Sequence, residues 1–196
     1  MSREFLERWL EEVIATPGLT SLRDPSAARR VLVEDALRAT PLVRASTGAI
    51  VDVGSGSGSP GIPLATALPD RRFVLLDSRR RRCEFLARVT GELQNIEVEW
   101  GRAESQATDE FGVALAKALA PPPVAAELCL PLVRPGGVAI LWTGETADPA
   151  AVGSVATKIG GELESHADGL MVLRKVASTP AGFPRRSGMA AKRPLE

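Results

Sequence analysis

The residues with the clearest chemical potential lie in one glycine-rich stretch: Asp52-Val53-Gly54-Ser55-Gly56-Ser57-Gly58-Ser59-Pro60-Gly61-Ile62-Pro63. Glycines at alternate positions let a backbone turn tightly and approach a ligand without Cβ clashes. Gly56, Gly58 and Gly61 formally satisfy G-x-G-x-x-G, which alone is a weak sign of a dinucleotide. Two features point away from a pyrophosphate. Asp52 precedes the first glycine by two residues and suits a ligand with positive charge or hydroxyl donors. Pro60, just inside the expected helix start, removes a backbone N–H that a phosphate would use. S-adenosylmethionine, with an ammonium, a sulfonium and no phosphate, matches both.

Two further positions fit the same ligand. Asp77 closes the run Val74-Leu75-Leu76-Asp77. A carboxylate there can accept from both ribose hydroxyls, in a nicotinamide dinucleotide as in S-adenosylmethionine. It can equally cap the next helix. Further on comes Gly101-Arg102-Ala103-Glu104, where a small residue followed by an acid suits the amino edge of adenine or a plain solvent-facing turn. Cys83 and Cys129 are far apart and lack metal-ligand spacing, so they read as reduced core thiols. The single histidine, His166, speaks against a histidine-rich metal site or histidine-based catalysis.

The elements that must position these residues follow from apolar periodicity. Glu4 to Ile14 has helical spacing. A second helix is expected from the cap Asp24-Pro25 to about Ala39, burying Val31, Leu32 and Leu37. Strands are expected at Ala49–Val53, Phe73–Leu76, Ile96–Trp100, Val113–Leu119 and Val138–Trp142. Helices are expected at Arg79–Leu93, Val124–Leu132 and Pro149–Ile159, with a turn at Arg134-Pro135-Gly136-Gly137. A final hairpin, Glu162–His166 and Leu170–Val176, turns at Asp168-Gly169. Strands alternating with helices mean an α/β fold, a mostly parallel sheet covered on both faces, here with an antiparallel edge. The spacing divides the chain into a helical extension (1–48), an α/β core (49–177) and a basic tail (178–196). Trp9, Trp100 and Trp142 sit in apolar patterns and are expected in the core. Cys83 and Cys129 are expected to face inward, and His166 to lie at the surface.

At 196 residues with 44% apolar content, the chain can bury one sizeable core and is not disordered by composition. No stretch approaches a membrane span, and the charged N-terminus does not resemble a secretory signal, so a cytoplasmic protein is expected. Its 24 basic and 24 acidic residues balance to zero, which at first argues against a nucleic-acid partner. The balance hides opposed segments. Six cations face one acid from Arg174 to the end, seven arginines face two acids from Arg71 to Arg88, and six acids face one arginine from Gly91 to Gly112. Local field, not net charge, steers a polyanion.

Four blocks together resemble a known family. They are Asp52–Pro63; Leu75–Ser78 with Arg82 and Phe85-Leu86; Gly101–Glu104; and a tail with Thr179-Pro180, Pro184-Arg185-Arg186, Gly188, Lys192 and Pro194-Leu195. The chain resembles the bacterial methyltransferases that modify a guanine of 16S ribosomal RNA, once called glucose-inhibited division protein B. The resemblance implies a class I S-adenosylmethionine-dependent methyltransferase sheet, Rossmann-like, acting on 16S rRNA or the small ribosomal subunit; a monomer is expected. It implies cofactor contacts at Gly54, Ser59, Ala103, Glu104 and Lys117, to which the reading of the loop and second strand adds Gly56, Gly58 and Asp77; the cations Arg102, Lys117, Arg185 and Arg186 are expected to contact RNA. Lys117 stands where the family usually has arginine, which keeps the charge and loses the planar fork. Leu32 stands where histidine is usual, and Arg79–Arg82 is more basic than usual.

The implied reaction is methyl transfer to guanine nitrogen-7. That nitrogen has a free lone pair at neutral pH, so no catalytic base and no metal are expected, and catalysis rests on proximity and alignment. Three alternatives share parts of the pattern: an NAD-dependent oxidoreductase, a methyltransferase for another RNA or a small molecule, and a non-catalytic RNA-binding relative. The first lacks room for a substrate domain, and the basic tail disfavours a small substrate.

Overall fold

The computed structural model describes residues 2–144 and 147–195. Met1 and Glu196, the outer ends of the expected extension and tail, lie outside them. α1 (Ser2–Ala15) buries Phe5, Leu6, Trp9, Leu10 and Val13, a stripe at helical spacing. α2 (Pro25–Arg29) starts as the cap predicts: the Asp24 carboxylate accepts from Ala27 N–H at 2.8 Å. It then widens into a π-helical turn (Arg30–Glu34) before α3 (Asp35–Leu37). The wide turn shifts the helical phase, so Leu32 and Val33 face inward while Val31, expected in the core, is 43% exposed. Leu37 is half-buried. A further helix, α4 (Thr40–Ala45), follows where none was expected.

β1 (Ile50–Val53) leads into α5 (Gly61–Ala67), β2 (Phe73–Asp77) into α6 (Arg80–Val89), and β3 (Ile96–Trp100) into a short turn at Ala103–Ser105. β4 (Phe111–Lys117), α7 (Pro122–Cys129), β5 (Val133–Trp142) and α8 (Pro149–Lys158) complete the parallel part. The expected turn at Arg134–Gly137 lies inside β5, as a bulge between the pairs Phe111–Val133 and Val113–Val138. β6 (Gly161–Ala167) and β7 (Leu170–Lys175) form the predicted hairpin, with positive φ at Asp168 (51°) and Gly169 (72°). The seven strands are ordered β3-β2-β1-β4-β5-β7-β6, parallel except for β7, which runs antiparallel to both neighbours.

Alternate residues of the central strands feed two apolar layers. Val51, Val53, Leu76, Ala114 and Leu141 pack under α7 and α8. Ile50, Phe73, Leu115 and Ile140 pack under α4 and α5, continuous with the N-terminal helices against Leu75 and Phe85. Cys83 and Cys129 are buried, and burial raises both thiol pKa values. Trp9 is a core residue, but Trp100, also expected there, is 62% exposed. β3 is an edge strand, so its terminal side chain has a neighbour on one side only. Instead Arg80 lies over its ring at 5.8 Å.

The tail is docked on the core, although the sequence shows no regular pattern there. Fully buried Lys175 donates to Asp109 (2.9 Å), Thr179 (2.7 Å) and the carbonyls of Leu130 and Val133. Burial pulls the Lys175 pKa down. Burial would push the Asp109 carboxyl up, but hydrogen bonds from Lys175 and Thr179 outweigh it and hold it below its ordinary value. Past this tie the chain runs on to a last short helix, α9 (Met189–Lys192).

Candidate active site

The glycine loop is built by its own backbone. Gly54, Gly56 and Gly58 hold φ of +72°, +59° and +105°, the left-handed region that side chains resist. Gly54 and Ser55 donate their N–H groups to the Leu76 carbonyl at 2.8 and 3.0 Å, carrying the loop over the end of β2. A Cβ on Gly54 would meet Leu119 Cδ1 at 2.5 Å. Gly56 N–H reaches Asp77 Oδ2 at 2.9 Å, while Arg79 N–H reaches Oδ1 at 2.8 Å and the Arg82 guanidinium stands 3.4 Å from Oδ2. Asp77 is therefore a buried carboxylate that ties the loop to α6 and still fronts an open cleft.

Asp52 does something different from what its position suggested. Its carboxylate accepts from Gly61 N–H at 3.0 Å and so caps α5 from below the loop. It is almost fully buried, and burial pushes its pKa up to about 7 against the hydrogen bonds from Gly61 and Ser55. Ser59 also faces away from the ligand side. Its hydroxyl donates to the Leu32 carbonyl at 2.8 Å. Lys117 Nζ donates to the Val31 carbonyl at 2.7 Å and pairs with Asp35 at 3.3 Å. Both carbonyls belong to the π-helical turn, which thereby holds the glycine loop and the end of β4 together. Such turns recur at functional sites.

The cleft has a volume of about 200 Å³ and collects Gly54, Asp77, Arg102, Ala103 and Glu104, five of the residues singled out in the sequence. Gly56 adjoins it through Asp77, whereas Gly58, Ser59 and Lys117 do not line it. Its apolar wall of Leu119, Val124 and Leu128 and its lid of Gly188, Ala190 and Ala191 from the tail were not among the residues singled out in the sequence. Periodicity carries no sign of a contact between residues about 85 positions apart. The Thr-Pro and Pro-Arg-Arg pattern of the tail is the one available signal. Gly188 N–H donates to Glu104 Oε1 at 2.8 Å, so the acid expected at an adenine edge also holds the tail.

The two tail arginines separate. Arg185, expected at RNA, turns inward: its Nε and Nη2 each lie 2.6 Å from an oxygen of buried Glu127, and Nη2 also reaches the Arg193 carbonyl. The planar fork is committed to the protein, and the Glu127 carboxylate raises the guanidinium pKa. Arg186 is exposed, as is Arg102 at the cleft.

Residues 4–154 match the family model described as rRNA small subunit methyltransferase G. The chain belongs to that family. It is 36% identical to the ribosomal RNA small subunit methyltransferase G of Synechococcus elongatus over 91% of this chain and 82% of that protein. It is 34% identical to the Thermotoga maritima protein of the same name over 98% and 87%. Among solved structures, the T. thermophilus 16S rRNA N2 G1207 methyltransferase, in complex with AdoMet and guanosine, superposes with a TM-score of 0.56 at 17% identity. That superposition covers 84% of this chain and 42% of the other, and shows a shared fold.

As a family member the chain is a methyltransferase that uses S-adenosylmethionine, and the cleft fits that donor. A glycine backbone faces one side, a buried carboxylate offers an acceptor to hydroxyl donors, and leucine and valine side chains form an apolar wall. Among the described residues no cluster of His, Cys, Asp and Glu is arranged to hold a metal ion, and no helix is long and apolar enough to cross a membrane.

Proposed function

We propose that this chain methylates N7 of a guanine in 16S rRNA of the small ribosomal subunit. The observation that carries the reading is the Gly54–Asp77–Glu104 cleft in a chain of the rRNA small subunit methyltransferase G family. When bound, S-adenosylmethionine supplies a methyl on a sulfonium: the N7 lone pair forms the new C–N bond, the C–S pair stays on sulfur, and the base becomes cationic.

The residues then have roles in binding and alignment. Asp77 accepts from ribose hydroxyls while holding Gly56 and Arg79 in place. Gly54 and Gly56 give the loop its close approach, and Gly58 its return into α5. Ser59 positions the loop through its bond to Leu32, and Lys117 braces the end of β4. Ala103 and Glu104 face the adenine. Arg102 and Arg186, both exposed, meet RNA phosphates. Arg185 holds the tail over the cleft. N7 needs no proton removed, so alignment of lone pair and methyl is the main catalytic demand. In A-form RNA this edge faces a deep, narrow groove, so the target base is unstacked or in an open loop.

Mapping N7-methylguanosine on 16S rRNA from a strain lacking the gene tests this. The reading expects one modified guanine to become unmodified and to be restored by the wild-type gene. An unchanged pattern rejects the rRNA assignment.

A further inference from the structure

The sheet changes its direction of growth between β1 and β4, and in open α/β sheets ligands collect beyond the strand ends at such a point. The segment that leaves β4 there separates two cavities. Leu119 and Ala120 wall the cofactor cleft. Lys117 and Ala118 wall a second, wider cavity of about 860 Å³. Ala118 holds φ +53°, a strained value for alanine, and this bend separates the two walls. The far side of the second cavity is formed by Asp35, Arg38, Trp142 and the β6–β7 turn.

We infer that this second cavity seats the acceptor guanine, with Trp142 as its stacking platform and Asp35 as the residue that reads the base. The inference rests on the RNA-methyltransferase reading above and names the acceptor subsite it requires.

Three observations carry it. First, the cavity opens at the same carboxyl end of the strands as the donor cleft, with one segment of chain between them. Methyl transfer needs its two ligands in such apposition. Its volume lies within the range of small-ligand sites.

Second, Trp142 is held ready to stack. It is the last residue of β5, packs partly against the Ile140 and Val172 layer, and donates its indole N–H to the Asp35 carbonyl at 3.1 Å. Its remaining surface lines the cavity. Unstacked RNA bases bind on such rings.

Third, the Asp35 carboxylate is fixed between Arg38 at 2.8 Å and Lys117 at 3.3 Å. Arg38 is anchored in turn on the Asp168 carbonyl of the hairpin turn. The two cations offset the repulsion that a lone carboxylate would exert on an RNA phosphate. Guanine presents N1–H and an amino group as donors, whereas adenine presents an acceptor at N1. A carboxylate therefore accepts from guanine and disfavours adenine. A guanine held by that edge leaves its opposite edge, which carries N7, free to face the donor.

The test uses the full chain with Trp142→Ala, Trp142→Phe and Asp35→Asn. Trp142→Ala is expected to raise KM for 16S rRNA by roughly tenfold or more, and Trp142→Phe to recover most of it. The Kd for S-adenosylmethionine should stay near wild type in both, and because Trp142→Ala also gives up packing against Ile140 and Val172, its KM is read well below its Tm. A KM unchanged in Trp142→Ala, with rRNA still methylated, keeps the functional reading and overturns this seat.

A second measurement does not depend on rRNA turnover. Trp100 is exposed, so a Trp100→Phe parent leaves buried Trp9 and Trp142 as the fluorophores. Guanosine monophosphate should quench this parent saturably, adenosine monophosphate about fivefold less well or worse, and adding Trp142→Phe should remove the quenching. Asp35→Asn should erase the difference between the two nucleotides. No saturable quenching, or equal quenching by both, overturns the seat whether or not rRNA is methylated. Selective quenching by an enzyme that leaves rRNA unmodified keeps the seat and rejects the rRNA reading.

Discussion

The two sides of the Lys117–Ala120 segment recognise by different means. The donor side is built from backbone and small residues: left-handed glycines, a loop bonded to the Leu76 carbonyl, and one buried carboxylate. The opposite side is built from large side chains that brace one another, with Asp35, Arg38, Lys117 and Trp142 contributed by three separate regions of the chain. A backbone cradle accepts one ligand shape and tolerates few substitutions at its glycines. A side-chain seat can be re-tuned residue by residue. The comparison predicts that changes on the donor side act on structure and cofactor together, and changes on the opposite side act on RNA more than on cofactor binding.

The largest effect is expected where the tail closes the donor side. Glu127→Ala strands the Arg185 guanidinium, and breaking a buried pair costs about 3 kcal/mol. Thermal unfolding should show a Tm lower by several degrees, with weaker S-adenosylmethionine binding because Gly188 and Ala190 lose their anchor. A variant of wild-type Tm and affinity would show that the tail does not shape the cleft.

Asp77→Ala comes next. It removes the partner of Gly56, Arg79 and the ribose at one stroke, and calorimetry should show a Kd for S-adenosylmethionine raised about 100-fold, or about 2.7 kcal/mol. An unchanged Kd would place the ribose elsewhere.

Asp52 gives a pH signature on the structural side of the same loop. Its carboxyl is raised in the folded protein from 3.8 to about 7, chiefly by burial. A raised acid binds its proton more tightly when folded, so the native state loses stability as pH rises from about 4 to about 7. Asp52→Asn keeps an oxygen for Gly61 N–H and has no charge to bury. Its stability relative to wild type should therefore improve between pH 5 and pH 8, on the order of 2 kcal/mol. A difference independent of pH would mean that Asp52 is ionised without penalty.

The smallest effect belongs to the exposed cations. Arg102→Ala with Arg186→Ala should raise KM for rRNA several-fold and flatten its salt dependence by about one to two counterions, leaving S-adenosylmethionine binding intact. Arg185→Ala should instead lower Tm, the reverse of what its place in a Pro-Arg-Arg pattern suggests. An Arg185→Ala variant with wild-type Tm and weakened RNA binding would reverse that assignment.

The sequence revealed the donor side because its signals are local. Alternating glycines after a β-branched run, and an acid at the end of the next strand, are each contained within about ten residues. The hairpin was legible for the same reason, through Asp168-Gly169. Less was legible where a residue's surroundings depend on distant neighbours. Trp100 ends the alternating run Ile96-Glu97-Val98-Glu99-Trp100, which marks one covered face, but at the end of an edge strand its side chain stays exposed. Val31 was placed by 3.6-residue phase, which the π-helical turn shifts. Arg185 reads as an RNA contact in the tail pattern, whereas the partner that holds its fork, Glu127, lies 58 residues earlier on α7. The Asp35–Trp142 cluster left no trace, since the two residues are 107 positions apart and join through a backbone carbonyl.

The most direct test of the central claim is to incubate the purified chain with methyl-labelled S-adenosylmethionine and unmethylated 16S rRNA, digest the RNA to nucleosides and identify the labelled product. The account predicts label in 7-methylguanosine, lost with Asp77→Ala. Label in any other nucleoside, or none under conditions where S-adenosylmethionine binds, would contradict it.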